Sequence, residues 1–125
     1  MLIIKTRVGP SEIHGFGLFT EEDLRFGQVY WELNPIIDQI VKKEQMATLP
    51  KLTREYMYHY SWKDENGDFY ISLDNDKFMN HADDANTDNA HPKYCFANRD
   101  IKTGEELTCD YTKFGTDWQK LRVTK

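Results

Sequence analysis

The stretch RDIKTGEELTCDY, Arg99 to Tyr111, decides how the rest of the chain is read. Glu106 to Asp110 reads as a strand, and the turn chemistry of IKTGE separates it from an earlier strand, Lys93 to Asn98. Immediately upstream, FMNHADDANT (Phe78 to Thr87) opens with two apolar residues and then gathers Asn80, His81, Asp83, Asp84 and Asn86. Such a cluster is a solvated loop, a metal site or the floor of a ligand pocket.

The metal reading fails on its pattern. Asp84, Asn86 and Asp88 begin a calcium loop, but Asn89 stands where the sharp turn needs Gly and Cys95 where a bidentate Glu is needed. His81 and His91 lack the close second pair of ligands that zinc sites use. The loop reading draws on Asn and Asp, which readily build turns. Against it stands the pair Phe78-Met79, which should anchor the segment in a core and hold Asn80 and His81 rigidly, as ligand recognition requires. The polar run from Asp74 to Pro92 shows almost no strand signal and is long for an idle loop.

Further out, Leu2 to Val8 predicts a first strand and Gly9-Pro10 a turn. The polar loop SEIHGFG follows, then an apolar strand at Leu18-Phe19 and another from Gln28 to Leu33. Ile36 to Val41 is a short apolar stretch. Met46, Leu49, Leu52, Tyr56 and Tyr60 recur at helical spacing, and Pro50 splits that segment into two short helices. HYSW and DFYISL flank KDENG, whose Asn66-Gly67 signals a hairpin. Thr116 to Gln119 forms a capping-box pattern, predicting a short C-terminal helix over 116–123. Many short strands without βαβ alternation predict a mainly β single domain over 1–125 with small helical inserts.

The chain's 125 residues suit one core. With 16 Lys and Arg against 21 Asp and Glu, its formal charge of −5 argues against direct nucleic-acid binding and fits a cationic protein partner or plain solubility. Cys95 and Cys109 suggest reduced thiols rather than a disulfide framework. The N-terminal apolar run is too short for a signal peptide, and no stretch reaches the roughly 18 apolar residues of a membrane span. These features predict a soluble intracellular protein, most simply a cytoplasmic one, with no membrane partner.

Three segments in order resemble the SET-domain family of protein lysine methyltransferases: SEIHGFGLF (Ser11 to Phe19), LDNDKFMNHADDAN (Leu73 to Asn86) and RDIKTGEELTCDY. The last matches the family's R-D-I-x-x-G-E-E-L-x-x-D-Y nearly residue for residue; the second matches R-F-x-N-H-S-x-x-P-N. The motifs bracket 11–111, and the chain looks closest to the compact bacterial and viral members without cysteine-rich flanks.

The resemblance implies a fold of several small β-sheets with a C-terminal pseudoknot, in which Tyr111 comes beside Asn80-His81. It implies S-adenosylmethionine as cofactor and a lysine in a protein or peptide, expected to be basic, as substrate. It implies that Gly15, Phe16 and Gly17 offer backbone groups to the methionine end, that Asn80 bonds the cofactor's amino group and His81 the adenine region, and that Tyr111 lines the catalytic channel. Phe114 or Trp118 would cover the adenine, and Tyr70 would line the cofactor or lysine site. Tyr56, Tyr58, Tyr60 and Tyr94 supply further rings, for a channel or for ordinary packing. A homodimer that completes the site is also among the expectations.

The chain departs from the family at Ala82 (usually Ser), Asp83 (often Cys) and Ala85 (usually Pro). A missing Pro frees φ and predicts a looser loop before Asn86. From that departure comes an alternative function: a SET-like module that binds a basic peptide with little or no turnover.

Overall fold

The computed structural model describes residues 1–113. Ten short strands, two helices and two single turns of 3-10 helix make up the described chain. The strands are β1 (Thr6–Pro10), β2 (Phe16–Thr20), β3 (Val29–Glu32), β4 (Gln39–Val41), β5 (Trp62–Lys63), β6 (Phe69–Ile71), β7 (Asn80–His81), β8 (Thr87–Asp88), β9 (Tyr94–Ala97) and β10 (Glu106–Cys109). They form three small sheets, ordered β1-β2-β10-β7, β3-β9-β8 and β4-β6-β5. This bears out the mainly β expectation.

The helical segment splits at Pro50 into α1 (Lys43–Met46) and α2 (Lys51–Tyr60). Restarting the helix resets its phase. Met46 and Met57 therefore turn inward onto Phe69, while Leu52 and Tyr56 of the apparent apolar stripe face out. The KDENG hairpin forms as expected between β5 and β6, which pair antiparallel.

Two expectations need correction. Gly9-Pro10 is not the first turn; it ends β1, paired with Gly17 and Phe16. The turn lies at 11–15, because the Ser11 hydroxyl accepts the Ile13 and His14 N–H groups and Gly15 takes a left-handed φ of 48°. The run 74–92 is not strandless either. It contains β7 and β8, each only two residues long, so no alternating pattern marks them in sequence.

The main core is Leu18, Leu24, Tyr30, Trp31, Met79, Ala97, Ile101, Leu107 and Cys109. Of the pair Phe78-Met79 expected to anchor the segment, Met79 lies in this core, whereas Phe78 is only half-buried. Strand β10 lies between β2, antiparallel, and β7, parallel, in the register Thr108↔Asn80 and Cys109↔His81. The chain beyond β7 grips β10 a second time. Asn86 donates Nδ2–H to the Glu106 carbonyl and accepts the Thr108 N–H, while Thr87 donates its hydroxyl to the Thr108 carbonyl. The predicted C-terminal helix over 116–123 lies outside the described residues.

Candidate functional site

The parallel register of β7 on β10 brings the two halves of the site together. Asn80 is 6% exposed, and its Nδ2 faces the loop 11–16. Four oxygens surround that nitrogen: Ser11 Oγ at 3.1 Å, the His14 carbonyl at 3.0 Å, the Phe16 carbonyl at 3.1 Å and Glu106 Oε2 at 3.0 Å. Carbonyl and carboxylate oxygens only accept, so the amide must present nitrogen rather than oxygen to them. Its two hydrogens cannot serve four oxygens, and acceptor capacity is left over for another donor.

His81 is fixed by two bonds of opposite sense. Its Nδ1 accepts the Tyr111 N–H at 3.1 Å, which puts the ring proton on Nε2, 2.7 Å from Asp83 Oδ1. The imidazole is buried, whereas Asp83 is fully exposed. The Tyr111 ring lies 5.4 Å from the His81 ring, tilted at 55°. Its hydroxyl donates to the Met79 carbonyl, so the oxygen can only accept from any other group. Next door, the Thr112 hydroxyl and N–H hold the Asp110 carboxyl below the usual carboxylate range.

Across this cluster runs the loop between β1 and β2. At Gly15 the position of an added Cβ is open, with nothing within 4 Å. Phe16 is 62% exposed and shows its ring to solvent. Gly17 is the opposite: a Cβ there would stand 2.6 Å from Glu106 Oε2.

Gly15, Phe16, Gly17, Asn80, His81 and Tyr111 therefore occupy one neighbourhood. Tyr70 does not share these contacts. Its ring stacks on Trp62 at 6.0 Å and its hydroxyl donates to Asp64 in the β5–β6 turn. Burial, with Asp64 second, pushes that hydroxyl's pKa up. Tyr56, Tyr58 and Tyr94 are exposed on α2 and β9. Phe114 and Trp118 lie outside the described residues. Sequence reasoning gave no role to Ser11 or Glu106, although both sit inside the motifs quoted above.

The three departures fit the loop. Ala82 N–H donates to the Cys109 carbonyl, and Asp83 supplies the partner of His81. Where the family's proline is missing, other restraints are present: Ala85 is buried, its carbonyl accepts from Asn98 Nδ2 at 2.7 Å, and Asn86 is bonded to β10. Burial pushes the Cys95 thiol up to about 12, which leaves it unreactive. Among the described residues no group of three or more His, Cys, Asp and Glu side chains could hold a metal ion, and no helix is long and apolar enough to cross a membrane.

Comparison with known proteins places this arrangement. The family model described as SET domain matches residues 15–112. A histone-lysine N-methyltransferase of Candida albicans, H3 lysine-36 specific, is 28% identical over 119 residues, covering 86% of this chain and 14% of that protein. Polycomb Repressive Complex 2 of Chaetomium thermophilum, bound to an inhibitor, superposes with a TM-score of 0.68 at 23% identity, over 97% of this chain and 17% of that one. The same complex bound to S-adenosylmethionine gives 0.65 at 22% identity, over 97% and 17%. A Plasmodium falciparum protein assigned as a histone methyltransferase gives 0.61 at 18% identity, covering 86% of this chain and 93% of that one. At these identities the structural likeness shows the fold, and the chain spans a small fraction of the curated relative's length.

Proposed function

This chain belongs to the SET domain family, and on that premise we propose that it is a protein lysine methyltransferase that uses S-adenosylmethionine. The observation that carries the reading is the meeting of Asn80, His81 and Tyr111 beside the 11–17 loop, through the register of β7 on β10.

The residues fit the cofactor's chemistry. Its methionine end presents an ammonium, and the oxygens gathered at Asn80 exceed what one amide can satisfy. The open space at Gly15 allows close approach to the backbone. In this reading Asn80, through its amide oxygen, and the His14 and Phe16 carbonyls accept from the amino end, His81 in its fixed tautomer orients the adenine side, and the exposed Phe16 ring covers apolar surface. When bound, S-adenosylmethionine supplies an electrophilic methyl group on a sulfonium.

The protein's remaining tasks are alignment and exclusion of water. A lysine amine attacks only when neutral, so the methylated nitrogen must shed one proton to solvent per transfer. Tyr111 suits the reacting end: with its proton engaged by Met79, its oxygen offers lone pairs to an incoming donor and no acidic hydrogen. Alignment alone can supply several of the roughly 7–11 kcal/mol that proximity effects reach.

We take the substrate to be a lysine in a basic protein segment, toward which a chain of formal charge −5 is attractive. Its pairing into a homodimer belongs to the same proposal and is checked by sedimentation. Incubation with methyl-labelled S-adenosylmethionine and histones or a lysate should label protein lysine, and the Tyr111→Phe variant should lose most of that labelling. Absence of transfer together with absence of cofactor binding would overturn the reading.

A further inference from the structure

Glu106 is one of the four acceptors around Asn80, and three parts of the site converge on its side chain. Ser11 Oγ lies 2.7 and 2.9 Å from its two carboxylate oxygens, and Asn80 Nδ2 lies 3.0 Å from Oε2. Gly17 is packed against the same group, with room for a hydrogen but not for a Cβ. We propose that Glu106 is a positioning residue: its carboxylate latches Ser11 and Asn80 and so holds the 11–17 loop in the shape that receives the ammonium end of S-adenosylmethionine. This rests on the cofactor reading given above.

Ser11 is the hub of the turn. A serine hydroxyl has one proton and two lone pairs. Here the proton goes to Glu106, and the oxygen accepts the Ile13 N–H at 2.9 Å and the His14 N–H at 3.3 Å. The Ser11 N–H in turn donates to the Gly15 carbonyl at 2.8 Å. The turn that aims the His14 and Phe16 carbonyls is therefore organised around one hydroxyl, and that hydroxyl is oriented by Glu106.

Glu106 itself is held by strand structure. It begins β10, opposite Phe19 of β2, and its carbonyl accepts Asn86 Nδ2 at 2.8 Å. A rigid strand thus carries the group that fixes a turn of chain, as a functional constellation needs. The carboxylate also brings negative charge into a set of otherwise neutral oxygens facing one point, which suits a cationic ligand group.

Gly17 gives an independent handle. It lies in the regular β1–β2 pairing opposite Gly9, so a left-handed backbone is not what its glycine serves. The obstacle to a side chain is the carboxylate, 2.6 Å from Oε2 and 2.8 Å from Cδ. If Glu106 is latched, Gly17→Ala must displace it; if Glu106 is removed, the same change should cost little.

The test uses the full chain and S-adenosylmethionine titrated by calorimetry. Glu106→Gln and Ser11→Ala should each weaken binding at least tenfold, and Ser11→Thr, which keeps the hydroxyl, should restore it to within threefold. In steady state the KM for the cofactor should rise tenfold in Glu106→Gln while kcat moves less than threefold. Two readouts need no cofactor. Hydrogen-exchange protection of the Ile13 and His14 amides should fall at least tenfold in Glu106→Ala, with Thr108 unaffected. The loss in melting temperature caused by Gly17→Ala should shrink by more than half in the Glu106→Ala background. If the unaltered protein binds cofactor but the Glu106 variants bind as tightly, or if loop protection does not change, the latch is wrong. If the unaltered protein fails to bind cofactor, the functional reading falls, and the exchange and melting measurements still decide the latch.

Discussion

Two regions of this small domain bury their residues in different ways. Around β2, β10 and β7, fully buried Leu18 and Leu107 lie beneath a polar layer in which Asn80, Asn86, Thr87 and Thr108 are buried and bonded to one another or to backbone. Around α1, α2 and β4-β6-β5, the buried cluster is only Met46, Met57 and Phe69, and large apolar side chains stay outside, Ile36 at 91% exposure. The first region can hold a polar site rigidly, because side-chain bonds and packing constrain the same residues. The second sets its side-chain bonds, such as Tyr70 to Asp64 and Lys42 to Asp68, around a smaller buried cluster.

That contrast is broken most directly by truncating one core residue in each region. Leu18→Ala removes a fully buried side chain from the main core and should cost about 3–5 kcal/mol, near the upper end for such changes. Met57→Ala opens a smaller cluster that can collapse toward solvent and should cost about 2 kcal/mol. Urea unfolding of both variants gives the difference directly. Equal losses would show that the helical region is packed as firmly as the sheet beneath the site.

Tyr111→Phe sharpens the comparison at the site. The ring and its contact with His81 stay, while the hydroxyl bond to Met79 goes. We expect kcat to fall roughly a hundredfold, in the range for removing one polar group that acts in the transition state. Cofactor affinity, measured by calorimetry, should change less than threefold. A matching loss in affinity would move Tyr111 from the reacting end to the binding surface.

What the sequence disclosed follows the same divide. Motif matches brought Gly15, Phe16, Gly17, Asn80, His81 and Tyr111 into view together, because strict spacing in RDIKTGEELTCDY and FMNHADDANT mirrors a strand register. The shortest elements and the turn set by a distant side chain were not legible. Strands β7 and β8 lack alternation, and the turn at Ser11 is set by a hydroxyl partner 95 positions away along the chain. Tyr70 is a second case of a partner hidden from the sequence: its hydroxyl is committed to Asp64 in its own hairpin. Neither partner could be read without the fold.

The junction between the regions offers the smallest and most selective probe. Asp76 sits in the 3-10 turn Asn75–Phe78 that leads from β6 into β7. Burial, and then the neighbouring charge of Asp74, push its carboxyl well above the usual range, with Ser72 and the N-terminal ammonium acting weakly the other way. A raised folded-state value means that stability is fully present below about pH 3.9, where both states hold the proton, and is lost as pH rises through the folded value. Asp23 and Asp110 run opposite: partners hold both below the ordinary value, so what they contribute is lost on the acid side. Asp76→Asn removes the first slope and leaves the second. Its melting temperature should exceed that of the unaltered protein by a few degrees at pH 7. The two should converge near pH 3. A constant gain across that range would mean that the amide makes a better hydrogen bond at the junction, and that the ionisation of Asp76 does not weaken the link between the two regions.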